Sequence, residues 1–303
     1  MTLEQLRIFI AVASREHVTQ AAGELNLTQS AVSAAVAALE ERYATKLFDR
    51  VGRRIALTDA GRLFLIEARA VLARAKAAEL VLSDLAGLKR GSLALAASQT
   101  IGNYWLPEKM QLFRKAHPGV DLHLTIDNTA RVATMVRDGT VDLGFVEGEV
   151  DDPAFASRAV ADDELIMVVG PRHPWASRRS IAPQDLIDTG WVLREPGSGT
   201  RSRFEEALRG FGVDPDRLTV RLELPSNEAV RTAIETGPEA SVLSRLVAAL
   251  ALRAGTLAEV RFALPRRHFT MLRHKERSIT AAETALMKVA AADAPRRGAD
   301  YAI

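Results

Sequence analysis

Apolar residues at the start of the chain recur at helical spacing. Leu3, Leu6, Ile8, Phe9, Val12 and Ala13 share one face, and residues 18–25 repeat the pattern with Thr19, Gln20 and Glu24 on the polar side. Asn26 breaks that second helix. Thr28 can cap a third, which the pattern predicts over 29–43 with Val32, Val36, Leu39 and Tyr43 on its apolar face. Lys46-Leu47-Phe48-Asp49-Arg50 and Val51-Gly52-Arg53-Arg54-Ile55-Ala56-Leu57 follow, with Gly52 marking a tight turn between two short strands. Three short helices and a hairpin read as a winged helix-turn-helix, the shape of a module that enters a DNA groove.

Thr58 is a good N-cap, and after it residues 60–88 run without proline in Ala, Leu, Arg and Glu. A helix of about 30 residues spans roughly 45 Å. Leu63, Ile66, Ala70, Ala73, Ala77, Leu80, Asp84 and Leu88 form a near-heptad stripe along it. Such a stripe outruns the small domain before it, so its expected partner is the same helix of another subunit; the alternative is a connector packed on the domain that follows.

From there apolar strands alternate with helical segments. Strand 92–97, helix 101–116, strand 120–127, helix 128–138 and strand 141–147 give βαβαβ, the start of an open parallel sheet. A second series follows: strand 164–171, helix 181–188, strand 190–194, helix 202–210, strand 217–224, helix 227–235 and a short buried strand 240–244. Strands 257–264 and 267–274 and a helix 280–292 end the pattern. The chain crosses between two α/β halves near 162 and 266, which makes hinged lobes with a ligand cleft between them. The expected organisation is thus a winged helix-turn-helix over 1–58, a linker helix over 59–89 and a two-lobed α/β effector-binding domain over 90–303. Lobe I takes 90–162 and 267–303; lobe II takes 163–266.

Composition narrows the function. The 303 residues contain no cysteine, which excludes disulfides and thiolate metal sites and fits a reducing cytoplasm. Six scattered histidines lack metal-ligand spacing, no run is long and apolar enough to span a membrane, and the first residues lack a signal pattern. The net charge is only +2, with an excess of three positive charges in residues 1–90 and −1 in the remainder. A localised basic patch suffices for a specific DNA binder. No nucleophile–base–acid pattern, metal cluster or nucleotide loop points to an enzyme. A solute-binding protein fits the two lobes taken alone, but not the helix-turn-helix.

The chain resembles the LysR-type transcriptional regulators over nearly its whole length. The resemblance rests on Leu6-Arg7-Ile8-Phe9, on Ala21-Ala22-Gly23-Glu24-Leu25-Asn26-Leu27-Thr28-Gln29-Ser30-Ala31-Val32-Ser33, on Leu39-Glu40, on Leu47-Phe48-Asp49-Arg50 and on Leu57-Thr58-Asp59-Ala60-Gly61. Later echoes are Leu106-Pro107, His117-Pro118-Gly119, Val141-Asp142-Leu143-Gly144 and Arg172-His173-Pro174. It implies a DNA-binding regulator with a type 2 periplasmic-binding-protein-like effector domain. It also implies homo-oligomers, often tetramers built as dimers of dimers. The expected partners are double-stranded DNA, copies of the chain, RNA polymerase and a small effector, with no other cofactor, no metal and no membrane.

Thr28, Gln29, Ser30, Ser33 and Ala34 open the recognition helix. Gln29 can pair bidentately with adenine, the serines can bond several bases, and Thr28 can cap the helix and touch phosphate. Arg53 and Arg54 on the wing suit phosphate or the minor groove. The family commonly has larger polar residues after the second serine, whereas this helix continues Ala34-Ala35-Val36-Ala37-Ala38. The alanines either meet thymine methyls or simply let the helix approach closely. In the effector domain, Ser98-Gln99-Thr100 and Ser198-Gly199-Thr200-Arg201 each follow a strand and open a helix, where hydroxyls and free amides favour an anion. The expected effector is an oxyanion such as sulfite or sulfate, or a carboxylated or phosphorylated metabolite. Asn227 is a further candidate contact. Glu147 would repel an anion unless paired with Arg201 or protonated. Ser98, Thr100 and Thr200 are also read as helix caps, His117 and His173 as surface residues, Arg266-Arg267-His268 and Arg296-Arg297 as solvated, and Pro238 as a stiffener of its turn.

Overall fold

The computed structural model describes residues 1–51, 54–85, 91–178 and 180–293. They form two compact units: residues 1–82 with 138–140, and residues 83–137 with 141 onward.

In the first unit, helix α1 (Leu3–Arg15) starts from a capping box in which the Thr2 hydroxyl accepts from the Gln5 amide and the Gln5 side chain accepts from the Thr2 amide. Helix α2 (Val18–Leu25) ends at Asn26, whose left-handed backbone lets the Leu27 amide bond back to Ala22. Helix α3 (Gln29–Arg42) stops because Tyr43 leaves helical geometry and Ala44 turns left-handed. Strands β1 (Phe48–Val51) and β2 (Arg54–Leu57) pair antiparallel as the wing, and helix α4 (Asp59–Leu85) follows. Phe9 joins these parts: its ring lies 5.5 Å from Phe48 on the wing and 4.8 Å from Phe64 on α4.

Helix α4 carries two apolar faces. Phe64, Leu65, Ala68 and Leu72 pack on the Leu6–Phe9–Leu39 core. Leu63 and Ile66, from the stripe read in the sequence, stay 69% and 56% exposed. Leu88 and the side chains of Ala73, Ala77, Leu80 and Asp84 lie outside the described residues.

The second unit has two five-stranded sheets. Strand β3 (Gly91–Ser98), helices α5 (Gln99–Tyr104) and α6 (Leu106–Ala116), β4 (Val120–Asp127), α7 (Thr129–Arg137), β5 (Leu143–Glu147) and β6 (Phe155–Asp163) build lobe I. The chain then crosses into β7 (Leu165–Val169), β8 (Gly190–Arg194), α8 (Gly199–Gly210), β9 (Thr219–Leu224), α9 (Asn227–Thr236), β10 (Ala240–Ser244), α10 (Arg245–Ala254) and β11 (Ala258–Val260) of lobe II. It returns to lobe I with β12 (Arg267–His274) and α11 (Ala281–Ala290). The sheet orders are β4-β3-β5-β12-β6 and β11-β7-β10-β8-β9. Parallel β3, β4 and β5 aim their carboxyl ends the same way, as do β8, β9 and β10, and β12 runs antiparallel to both its neighbours.

Four segments depart from the pattern reading. The helix expected over 101–116 is two helices. Pro107 belongs in the first turn of a new helix, and Trp105 breaks the run to place its indole about 6 Å from Phe145 and Phe269. β6 is an edge strand with one neighbour, so its solvent side is polar and its alternation weak. α10 follows β10 directly, capped by the Ser244 hydroxyl and ended by the left-handed Gly255, but its nearly continuous apolar run hides its helical period. Residues 181–188 hold only a 3-10 turn, Pro183–Asp188.

Candidate functional site

At the DNA-reading end, the α2–α3 turn exposes the first turn of α3. Thr28 caps it, accepting from the Ala31 amide at 3.2 Å, and its hydroxyl lies 3.1 Å from that of Ser30. Gln29 is exposed and its side chain has no intramolecular partner among the described residues, so both its donor and its acceptor remain for a base edge. Ser33 is half-buried and Ala34 exposed, while Val32 and Leu39 fix the opposite face in the core. Arg53 and the side chain of Arg54 lie outside the described residues.

Ser33, Ala37, Glu40, Lys46 and Arg50 line an open groove between α3 and the wing. Glu40 ties the two together: its carboxylate accepts from the Leu47 amide at 2.8 Å, the Phe48 amide at 3.2 Å and the Lys46 ammonium at 2.6 Å. Burial alone would raise its pKa, but these bonds outweigh it and hold the group below the ordinary carboxylate value. Glu40 neutralises Lys46, so the positive charge that this groove offers beside the alanine-rich helix is that of Arg50. Nothing local in the sequence marks Lys46 or Arg50, since their place beside α3 comes from the pairing of the wing with Glu40.

In the second unit, Ser98, Thr100, Glu147, Ser198, Thr200 and Asn227 are all at least nine-tenths buried where the two lobes meet. The lobes are bridged by side chains. Asn227 donates to Thr100 at 3.1 Å, and Gln99 donates to the Pro225 carbonyl and accepts from the Asn227 amide at 2.7 and 2.9 Å. Asn128 donates to Glu195 at 3.2 Å, and the Ala130 amide bonds the Gly197 carbonyl. Tyr104 donates to Glu228; burial and that carboxylate push its pKa up to about 12.

Ser98, Thr100, Thr200 and Arg201 differ from the sequence reading. Ser98 and Ser198 occupy N-cap positions without a side-chain capping bond, and the Ser98 hydroxyl has no hydrogen-bond partner. Thr100 and Thr200 use their hydroxyls on Asn227 and Arg267 instead of as caps. Arg201 does not face Glu147: its guanidinium is held by Glu205, Glu223 and the Arg194 carbonyl, because α8 turns that side chain back over its own lobe. Glu147 instead accepts from Thr129 at 3.1 Å.

Two cations were missed. Arg267 is fully buried rather than solvated, with Nε 2.6 Å from Asp163 and a bond to Thr200. The period-2 alternation of β12, which buries Arg267 with Phe269 and exposes His268, was the available signal. Arg194, only 4% exposed, ends the apolar strand β8; it pairs with Glu195 through Nε at 2.8 Å and Nη2 at 2.9 Å and donates Nη1 to Asn227. His173 is likewise buried, its ring bonded to the Trp175 amide and near Thr189, and burial first, then Arg178, lowers its pKa. Among the described residues no His/Asp/Glu group could hold a metal ion, and no helix is long and apolar enough to cross a membrane.

Comparison with known proteins bears on both ends. A model of the bacterial regulatory helix-turn-helix protein, lysR family, matches residues 3–62, and a model of the LysR substrate binding domain matches residues 86–294. An HTH-type transcriptional regulator of Escherichia coli K12, YeiE, is 36% identical over 282 residues, 92% of this chain and 94% of that protein. Full-length CbnR complexed with its target DNA superposes at a TM-score of 0.68, with 21% identity, over 97% of this chain and 100% of that one. The regulatory domain of Synechocystis PCC6803 CcmR in complex with 2-PG superposes at 0.62, with 25% identity, over 67% of this chain and 97% of that one.

Proposed function

The chain belongs to the LysR family of DNA-binding transcriptional regulators, and from that premise we propose that it acts as an oligomer whose paired winged helices are reset by a small anion held between lobes I and II. The observation that carries the DNA half is the unpartnered, exposed Gln29 at the start of α3. Gln29→Ala is expected to weaken specific binding by ~1–3 kcal/mol while leaving random-sequence binding nearly unchanged. Titrations on operator and random duplexes measure it; an unaltered ratio between them would remove Gln29 from base readout.

Assembly is supported by the exposed apolar face of α4 at Leu63 and Ile66 and by exposed Ile126, Val220 and Leu222 on the sheet-edge strands β4 and β9. A dimer of dimers in the cytoplasm, presenting several winged helices to one promoter and a surface to RNA polymerase, is the arrangement these faces suit. The effector reading draws on the buried Ser98 hydroxyl, without a partner among the described residues, and on Arg194, which reaches Thr100 through Asn227. CcmR, bound to the phosphorylated 2-PG, offers a precedent for the class of ligand. Effector binding would shift the lobe angle and so the spacing and bend imposed on DNA.

A regulator whose cleft holds nothing is favoured by one observation, the side-chain bridges that already join the lobes. Thermal-shift measurements with sulfite, sulfate, phosphate and small carboxylates separate the two. A stabilised midpoint supports the effector; silence across the panel supports the closed, ligandless cleft.

A further inference from the structure

Arg194, Arg201 and Arg267 lie near the meeting of the lobes, and their commitments differ. Arg201 is spent on Glu205 and Glu223 on the outer side of lobe II. Arg267 is locked to Asp163, itself held by the Ser244 hydroxyl, and neither charged side chain is more than 1% exposed. The Arg267 pair has no member that can leave for water, and the Arg201 partners Glu205 and Glu223, 26% and 48% exposed, bond within lobe II. Arg194 is different. Its side chain is 4% exposed, but its carboxylate partner Glu195, just past the end of β8, is 21% exposed and also meets Asn128 of lobe I. If the pair parts, Glu195 can swing into solvent and keep its charge hydrated, whereas Arg194 must find another anion.

The geometry of the pair is that of a bound ligand. Nε and Nη2 of Arg194 meet the two oxygens of Glu195 side by side, the fork by which guanidinium recognises a carboxylate or oxyanion. Glu195 uses the same Oε1 to accept from Asn128 of lobe I, and Arg194 reaches lobe I a second way through Asn227 and Thr100. Whatever occupies the Arg194 fork therefore decides whether the Asn128 tether is made.

We propose that the Glu195 carboxylate is a built-in competitor that holds the Arg194 guanidinium until an oxyanion or carboxylate effector displaces it, releasing the Asn128 tether between the lobes. The proposal rests on the reading of an anion in this cleft and adds which residue senses it and what it must displace. Glu195 is attached to the next residue, so its effective concentration at the fork is high and it taxes the affinity of any free anion.

Sulfate is the probe, titrated calorimetrically into the full-length chain at constant ionic strength set with chloride. Glu195→Gln removes the competing charge, and Glu195→Asp, which keeps the charge but shortens the reach, serves if the glutamine variant does not fold. Sulfate affinity at least tenfold above wild type in Glu195→Gln, with a smaller gain in Glu195→Asp, is the expected result. Asn128→Ser keeps an oxygen to cap the Arg131 amide but loses the tether. It is expected to speed hydrogen exchange at the Ala130 amide with less than a threefold change in sulfate affinity. Equal gains in Asn128→Ser and Glu195→Gln would mean that loosening, not charge, controls binding, and would overturn the competitor role. Binding by wild type with no gain in either Glu195 variant also overturns it but leaves the anion reading standing. No binding by any of the four chains overturns both.

Discussion

Glu283 stands in the first turn of α11, where its side chain accepts from the Thr280 amide while the Thr280 hydroxyl accepts from the Glu283 amide. It is only 5% exposed. Burial, and then the Asp142 carboxylate, push its pKa up to about 7, above the ordinary 4.5. The folded chain therefore keeps a proton that the unfolded chain has released between these values. The resulting stability is complete below the unfolded pKa and is lost as pH rises through the folded one. Glu283→Gln retains an acceptor for the capping box and removes the charge. Its unfolding midpoint is expected to match wild type near pH 4.5 and to exceed it at pH 8, by a gain on the order of 3 kcal/mol. An equal shift at both pH values would assign the effect to packing.

At the scale of elements, the joint between wing and linker helix is the tightest local fit in the first unit. Thr58 accepts from the Gly61 amide at 2.9 Å and donates to the Lys46 carbonyl at 2.8 Å. A Cβ on Gly61 would lie 2.1 Å from the Leu47 carbonyl oxygen and 2.9 Å from a Leu57 methyl, so backbone has to move. Gly61→Ala is expected to destabilise the first unit by ~1–3 kcal/mol, visible as a lower denaturant midpoint, and to weaken DNA binding by shifting the wing. Wild-type stability in that variant would show that the joint is slack. This joint was legible in advance as Leu57-Thr58-Asp59-Ala60-Gly61, because capping is a local property of a few residues. The cleft was legible only as helix starts after strands. Which hydroxyls cap and which cross to the other lobe depends on contacts between residues as distant as Thr100 and Asn227, and no local pattern carries that. Arginine is rarely buried unless paired: the partner of Arg267, Asp163, is 104 residues away, and Arg194, though next to Glu195, is also held by the distant Asn227.

For the whole molecule, Gly199 of lobe II is a point where the backbone comes close to lobe I. A Cβ there would stand 2.7 Å from the Thr129 hydroxyl and 2.9 Å from the Glu147 carbonyl. Gly199→Ala is expected to wedge the lobes apart, with faster hydrogen exchange at the Ala130 amide and a loss of ~1–3 kcal/mol. Unchanged exchange would show that the lobes absorb a methyl group without opening.

The Arg267–Asp163 pair sits where both crossings between the lobes pass, at the end of β6 and the start of β12. Thr200 and Ser244 of lobe II hold the same two side chains. The connection is thus pinned by side chains of both lobes at one place, an arrangement that suits turning about it better than sliding. Turning about it would move the outer edges of the sheets, β4 and β9, farther than the Arg194 fork. In a molecule arranged this way, a small shift in the interior would be read as a change in the angle of the rim.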